Sequence, residues 1–321
     1  MDITLWLQLL TYAFVLLIIV MFLSRLAKYT QLPVHLRWEL YPLAGEKHRP
    51  WGGSYLEETE WWNKPREEKS FINEIKFMGE EVLYFKEYFH LNRPYWYSVY
   101  PFHIGAFLFI GFIGLLIVGA LTVIGGITVS GSSPELWGQI VFYATIIVGG
   151  ISYIFGTAGA ISLLARRLFN KDLNPYTRRA EHANAVMILV LFLTGLVSWA
   201  VFDPGFMMAR GYLVGLFTFS PTIGIQPLLV AHILLILIIA SYLPSTNMMH
   251  FFAKWFTYHK IRWDDAPNVH GGGLEKKLQP AFGQSISWSA PHIQEFQRWS
   301  DIVPKETVEH LTPRVKKGDT K

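Results

Sequence analysis

Five stretches of roughly twenty apolar residues, none with Lys, Arg, Asp or Glu in its middle, leave this chain few ways to fold. About 20 apolar residues in a helix cross the ~30 Å hydrocarbon core of a bilayer. In lipid the backbone polar groups must be paired within the spanning segment itself, which a helix does. The stretches run roughly Leu5–Leu23, Phe102–Val123, Leu136–Leu164, Ala185–Phe202 and Ile225–Leu243. The fold class read from this is an all-α membrane protein, a five-transmembrane-helix bundle. Residues 5–23 are read as a retained helix and not a signal peptide: no basic residue precedes them, the apolar run is long, and Arg25 and Lys28 follow.

The charges between the stretches give a direction. Only 16% of the 321 residues are charged, against about 25% in an ordinary soluble protein, and they are unevenly placed. Eleven Lys/Arg lie between the first two stretches and five lie in the short turn Arg166–Arg179. The turn Ser130–Glu135 has none, and Asp203–Thr222 has only Arg210. Positive charge marks the cytoplasmic side, so the N-terminus is expected outside and the C-terminus in the cytoplasm. The chain then divides into a first transmembrane helix (1–29), a cytoplasmic insert (30–100), the remaining four helices (101–250) and a cytoplasmic tail (251–321). Within the insert, the apolar spacing over Arg66–Phe89 predicts an amphipathic helix, covering either the protein's own face or a partner. The tail, rich in Pro, Gly and charge, is expected to lack a core of its own.

There is no cysteine. That excludes disulfides, cysteine-held iron–sulfur clusters and a CxxCH haem attachment on this chain. Any metal here rests on His, Met or carboxylate. A formal charge of +4 with no basic arm gives no reason to invoke nucleic acid.

Eleven histidines are present. His35, His48, His90, His259, His270, His292 and His310 fall in the insert or tail, where surface roles are the default. His103, His232 and His250 lie in or at the ends of apolar stretches, where an ionisable group is a functional hypothesis. His232 and His250 are 18 residues apart, five helical turns and ~27 Å, so on an unbroken helix they share a face. Pro244 between them is a reason for a kink. His103 opens the second stretch at the level expected for His250. Two imidazoles on facing helices at one depth are what a six-coordinate b-type haem needs. Gly105, Gly111 and Gly114 could admit a macrocycle or serve helix packing. Arg166, Arg167, Arg178 and Arg179 could meet haem propionates or simply set topology.

The PFHIG run at Pro101–Gly105, the pattern of His232, Leu243-Pro244 and His250, and the runs HLRWELYPLAGE (His35–Glu46) and EETEWWNKP (Glu57–Pro65) carry a resemblance. The sequence resembles the respiratory nitrate reductase gamma subunits (the NarI-like membrane cytochromes b). Within them it is most similar to the cytochrome b subunits of the sulfate-reducer complexes DsrMKJOP and Tmc and of membrane heterodisulfide reductase. The resemblance implies a five-helix bundle in a prokaryotic cytoplasmic membrane, with two stacked b haems between the second and fifth helices. The positions matching the inner ligands are His103 and His250. His232 matches one outer ligand, and its partner, ten residues after His103, is here Ile113. No other His, Met or Cys on that helix replaces it. His232 is therefore either the ligand of a second haem, a buried hydrogen-bonded imidazole, or part of a quinone pocket. His182 is expected to cap the fourth helix or hydrogen-bond near the inner haem.

The function implied is that of an electron-carrying subunit of a redox complex in anaerobic sulfur-type respiration. Its cytoplasmic partner would be an iron–sulfur protein related to heterodisulfide reductase. Its outer partner would be menaquinone, with Phe206–Pro221 as the first place to look, or a periplasmic multihaem cytochrome c. The rival reading is a haem-free membrane anchor.

Overall fold

The computed structural model describes residues 3–31, 71–221, 224–250, 252–253, 256, 271–291 and 293–302. The His35–Glu46 and Glu57–Pro65 runs, and His48, His259, His270, His292 and His310, lie outside the described residues. Among the described residues there is no strand, only two isolated bridges. Five helices are long and apolar enough to cross a membrane. They are α1 (Ile3–Thr30), α4 (Arg93–Ile124), α5 (Leu136–Phe169), α6 (Arg179–Val197, extended by a π turn to Phe202) and α8 (Pro227–Tyr242). The first four cover their apolar stretches and overrun them by several residues, while α8 falls slightly short of its own at both ends.

The chain forms two compact units, Met1–Leu23 with Gly79–Met249, and Ser24–Met78 with His250–Lys321. In the first, α4 packs most extensively on α5, and α5 on α6. Water is absent between helices in lipid, so close backbone approach and interhelical hydrogen bonds take over from the hydrophobic effect. A Cβ on Gly105 would collide with the Gly156 backbone, and one on Gly159 with the backbone of Phe102. The Ser152 hydroxyl donates to the Gly105 carbonyl at 3.0 Å in the same seam. Gly105 thus meets a helix and not a flat ligand, while a Cβ on Gly114 would meet nothing within 4 Å.

The helix ends follow their sequences. Asn92 caps α4 by accepting the Tyr95 N–H at 3.2 Å, with Pro94 in the first turn where no N–H is needed. Between α6 and α8 lies a short helix not foreseen from sequence, α7 (Met207–Thr218). The Asp203 carboxylate accepts the N–H groups of Met207 (2.7 Å) and Ala209 (3.0 Å) and so fixes its start. The first half of α1 docks on α7. Thr11 and Tyr212 share a hydroxyl hydrogen bond of 2.6 Å, Tyr12 donates to the Leu216 carbonyl, and Gln8 to the Ser220 carbonyl.

The expected single amphipathic helix over Arg66–Phe89 is two helices, α2 (Phe71–Leu83) and α3 (Lys86–Leu91). Phe85 separates them in the left-handed region at φ 52°. Glu81 accepts the Glu87 N–H at 3.1 Å and Lys86 pairs with Glu80 at 2.8 Å, which ties the two helices across the break. In the second unit the tail buries some apolar side chains. Leu278 and Ala281 on α9 (Gly273–Phe282) are buried, as are Ile286 and Ile293.

Candidate functional site

His103 stands ten residues into α4. Its Nδ1 lies 2.8 Å from the Val99 carbonyl oxygen, one turn back. A carbonyl can only accept, so Nδ1 carries the proton. This is how metal-binding histidines are usually oriented, their other ring N–H held by a carbonyl or carboxylate. Phe85 (centroids 4.6 Å apart), Phe102 (5.1 Å) and Phe107 (6.3 Å) surround the ring. Phe85 reaches it from a backbone conformation that an aromatic residue adopts only at a cost, the kind of strain that collects at functional positions.

His232 is in a different situation. It is 2% exposed and bonded at both ring nitrogens. Nε2 is 2.9 Å from the Tyr153 hydroxyl and Nδ1 is 3.1 Å from Thr194 Oγ1. Thr194 Oγ1 lies 2.8 Å from the Val190 carbonyl, to which it donates. One arrangement of protons satisfies all of these. Tyr153 donates to Nε2, Nδ1–H donates to Thr194, and Thr194 donates to Val190. Around this chain the rings of Phe112, Phe192, Phe206 and Tyr153 form the buried core of the bundle, and Ile113 packs against it. Phe109, six positions after His103 and hence ~9 Å further along α4, stands edge-on to the His232 ring with centroids 6.3 Å apart.

The five-turn geometry between His232 and His250 is interrupted. Pro244 has no N–H for the helical ladder, and α8 ends at Tyr242 in two 3₁₀ turns, Leu243–Ser245 and Asn247–Met249. His250 follows them, exposed, at the start of the second unit. His182 closes onto its own helix start, Nδ1 3.3 Å from the Arg178 carbonyl. Among the arginines, Arg166 donates to Ser98 Oγ at 2.6 Å and to the Pro94 carbonyl, tying α5 to α4. Arg167 donates to the Glu181 carbonyl at 3.0 Å, and Arg178 pairs with the Glu181 carboxylate at 2.9 Å.

Sequence reasoning missed Tyr153, Thr194 and Gly195. A Cβ on Gly195 would collide with both Tyr153 and His232, so this glycine makes room for the pair. The available signal was a tyrosine in the middle of an apolar span, whose hydroxyl must find a partner there. Arg210, in the stretch where a quinone was sought, is a buried cation on α7. Nη1 donates to the Val129 carbonyl at 3.3 Å, while Nε and Nη2 have no partner among the described residues. Burial lowers its pKa from the ordinary value, opposed by Asp203. Gly119 of α4 gives it room, since a Cβ there would lie 2.7 Å from Nε.

Residues 90–264, more than half of the chain, match the nitrate reductase gamma subunit family. The chain belongs to that family. The match takes in α4 to α8 with His103, His232 and His250. No curated protein and no solved structure matches the chain. Membership in the nitrate reductase gamma subunit family, with five apolar helices, points to a multi-pass membrane protein. It also points to an electron-transfer subunit of the cytochrome b type in a membrane redox complex. This family generally binds haem b.

Proposed function

We propose that this chain carries electrons through a b-type haem held by His103 and His250. The observation that carries the reading is the His103 side chain itself: its Nδ1–H is held by the Val99 carbonyl, the arrangement usual for a metal-binding histidine. The haem supplies one-electron redox chemistry, and the protein supplies its position and surroundings. The chain's own contribution is to fix the His103 tautomer, to wall the ring with Phe85, Phe102 and Phe107, and to keep the helices around it at close approach. With no cysteine on the chain, electrons leave through another subunit. We propose a cytoplasmic iron–sulfur protein of the heterodisulfide-reductase type, with menaquinone or a periplasmic multihaem cytochrome c as the other partner. This places the protein in a prokaryotic cytoplasmic membrane, N-terminus outside, in sulfur-type respiration resembling that of the DsrMKJOP and Tmc complexes.

Reduced-minus-oxidised spectra of the purified full chain test the reading. A b-type α band is expected, and His103→Ala should abolish it. A chain purified from a haem-sufficient host without that band would be the anchor of the rival reading.

A further inference from the structure

The family pattern calls for two haems, and the residues at the second position do not fit one. From this we infer that the chain is a single-haem member of its family, in which the position of the second haem has been closed by the protein itself. The inference rests on the cytochrome reading above and goes beyond it.

Three independent observations carry it. The first is the missing ligand: Ile113 stands where the second histidine of α4 belongs, and its side chain packs on the aromatic core. The second is the state of the ligand that remains. Both nitrogens of His232 are used within the protein, by Tyr153 and Thr194. For Nε2 to bind iron, the Tyr153 hydroxyl would have to give up its hydrogen bond in a site 3% exposed, where an unpaired donor is expensive. Nδ1 offers no alternative, since using it breaks the bond to Thr194. The third is space. Phe112 and Phe206 lie 4.5 Å apart by ring centroids, Phe112 and Tyr153 5.6 Å, and Phe109 and Phe192 5.8 Å. Such contacts are those of a filled aromatic core, and this core lies directly against His232 through Tyr153 and Phe109.

The consequence concerns the path of electrons. Beyond His103, α4 continues for another ~32 Å to Ile124 with no further His, Met or Cys. That is too far for one transfer between cofactors. Electrons therefore enter and leave this chain in the half of the bundle that holds His103, and they do not cross the bilayer through it. Of the two other partners proposed above this leaves the quinone, expected in that half, away from Arg210 and the Phe206–Pro221 stretch.

The test is the haem content of the intact chain. The purified full-length protein is quantified by amino-acid analysis and its haem by the pyridine haemochrome, with a redox titration of the α band. One haem per chain and a single one-electron step are expected. His232→Gln should keep that full complement, and His103→Ala should lose all of it. Two haems per chain, or a wild-type spectrum that His232→Gln halves, would overturn the single-haem inference while leaving the cytochrome reading intact. No haem in the wild type would overturn both. The wild-type ratio decides without any variant, so a misfolded variant does not blunt the test.

Discussion

Replacing Tyr153 by Phe removes one oxygen atom from the centre of the bundle and almost no volume. What is lost is the donor to His232 Nε2, 2.9 Å away, in a site where neither group meets solvent. In water-soluble proteins a buried acceptor left without its donor costs about 1–3 kcal/mol. Inside transmembrane bundles the measured interaction energies are smaller, averaging about 0.6 and reaching about 1.7 kcal/mol, because the unfolded chain in lipid finds other partners. The Tyr153–His232–Thr194–Val190 chain belongs in the upper half of that range. No polar atom of the imidazole is left unpaired, and the ring is polarised from both sides. A coupling energy of about 1–1.7 kcal/mol is expected from the cycle Tyr153→Phe, His232→Leu and the double variant, read by denaturant-titrated unfolding in mixed micelles. Trp199, stacked 6.1 Å from Phe206 at the edge of the same core, is a convenient fluorescence reporter. Thr194→Val should be strongly non-additive with Tyr153→Phe, since both act on one ring. A coupling energy indistinguishable from zero would refute the closed-chain reading of His232.

Further expectations follow from the same packing. Gly105→Ala, whose Cβ collides with the backbone of Gly156, should destabilise by at least the ~1–3 kcal/mol of ordinary overpacking. Gly114→Ala, with nothing within 4 Å, should be neutral or slightly stabilising; equal effects of the two on unfolding would rule out the α4–α5 seam. Asp203→Ala removes both acceptors at the start of α7 and is expected to lower stability by about 0.5–2 kcal/mol. Arg210→Met exchanges a buried cation with two unpartnered nitrogens for an apolar chain of similar length, and it should be neutral or stabilising in the same assay. A marked loss in Arg210→Met would mean that the guanidinium is paired.

The five membrane spans were legible because apolar length is a nearly sufficient signal in lipid; Pro244 reads as a kink, and α8 in fact ends just before it. The π turn at Ser198–Phe202 and the break at Phe85 were not legible. The second is held by local contacts, Glu81 with Glu87 N–H and Glu80 with Lys86, that a smooth apolar periodicity does not reveal. The His103 position was readable from its place at the head of an apolar run. Its tautomer was not, since that depends on the Val99 carbonyl one turn away. For His232 the sequence offered a ligand, a structural imidazole and a quinone pocket on equal chemistry. Residues from α5 and α6, Tyr153 and Thr194, decide which nitrogen does what, and nothing in the local sequence of α8 refers to them.

Ile113 alone could not have turned a haem position into a solid core. A protein interior does not sustain a void the size of a macrocycle; even small cavities cost about 24 cal/mol per Å³. The space must be filled, and in this bundle rings fill it and glycines admit them. A Cβ on Gly149 would come within 2.7 Å of the Phe112 ring and 2.8 Å of Phe206. One on Gly156 would strike Phe192, and one on Gly195 would strike Tyr153. Three glycines on two helices thus each face an aromatic ring of one cluster, and the tyrosine among those rings also satisfies the orphaned histidine. The ligand change at 113, the aromatic filling and the hydrogen bond to His232 form one cooperative unit. Restoring a histidine at 113 by itself would put a second polar ring into a packed apolar core and would not reopen the site.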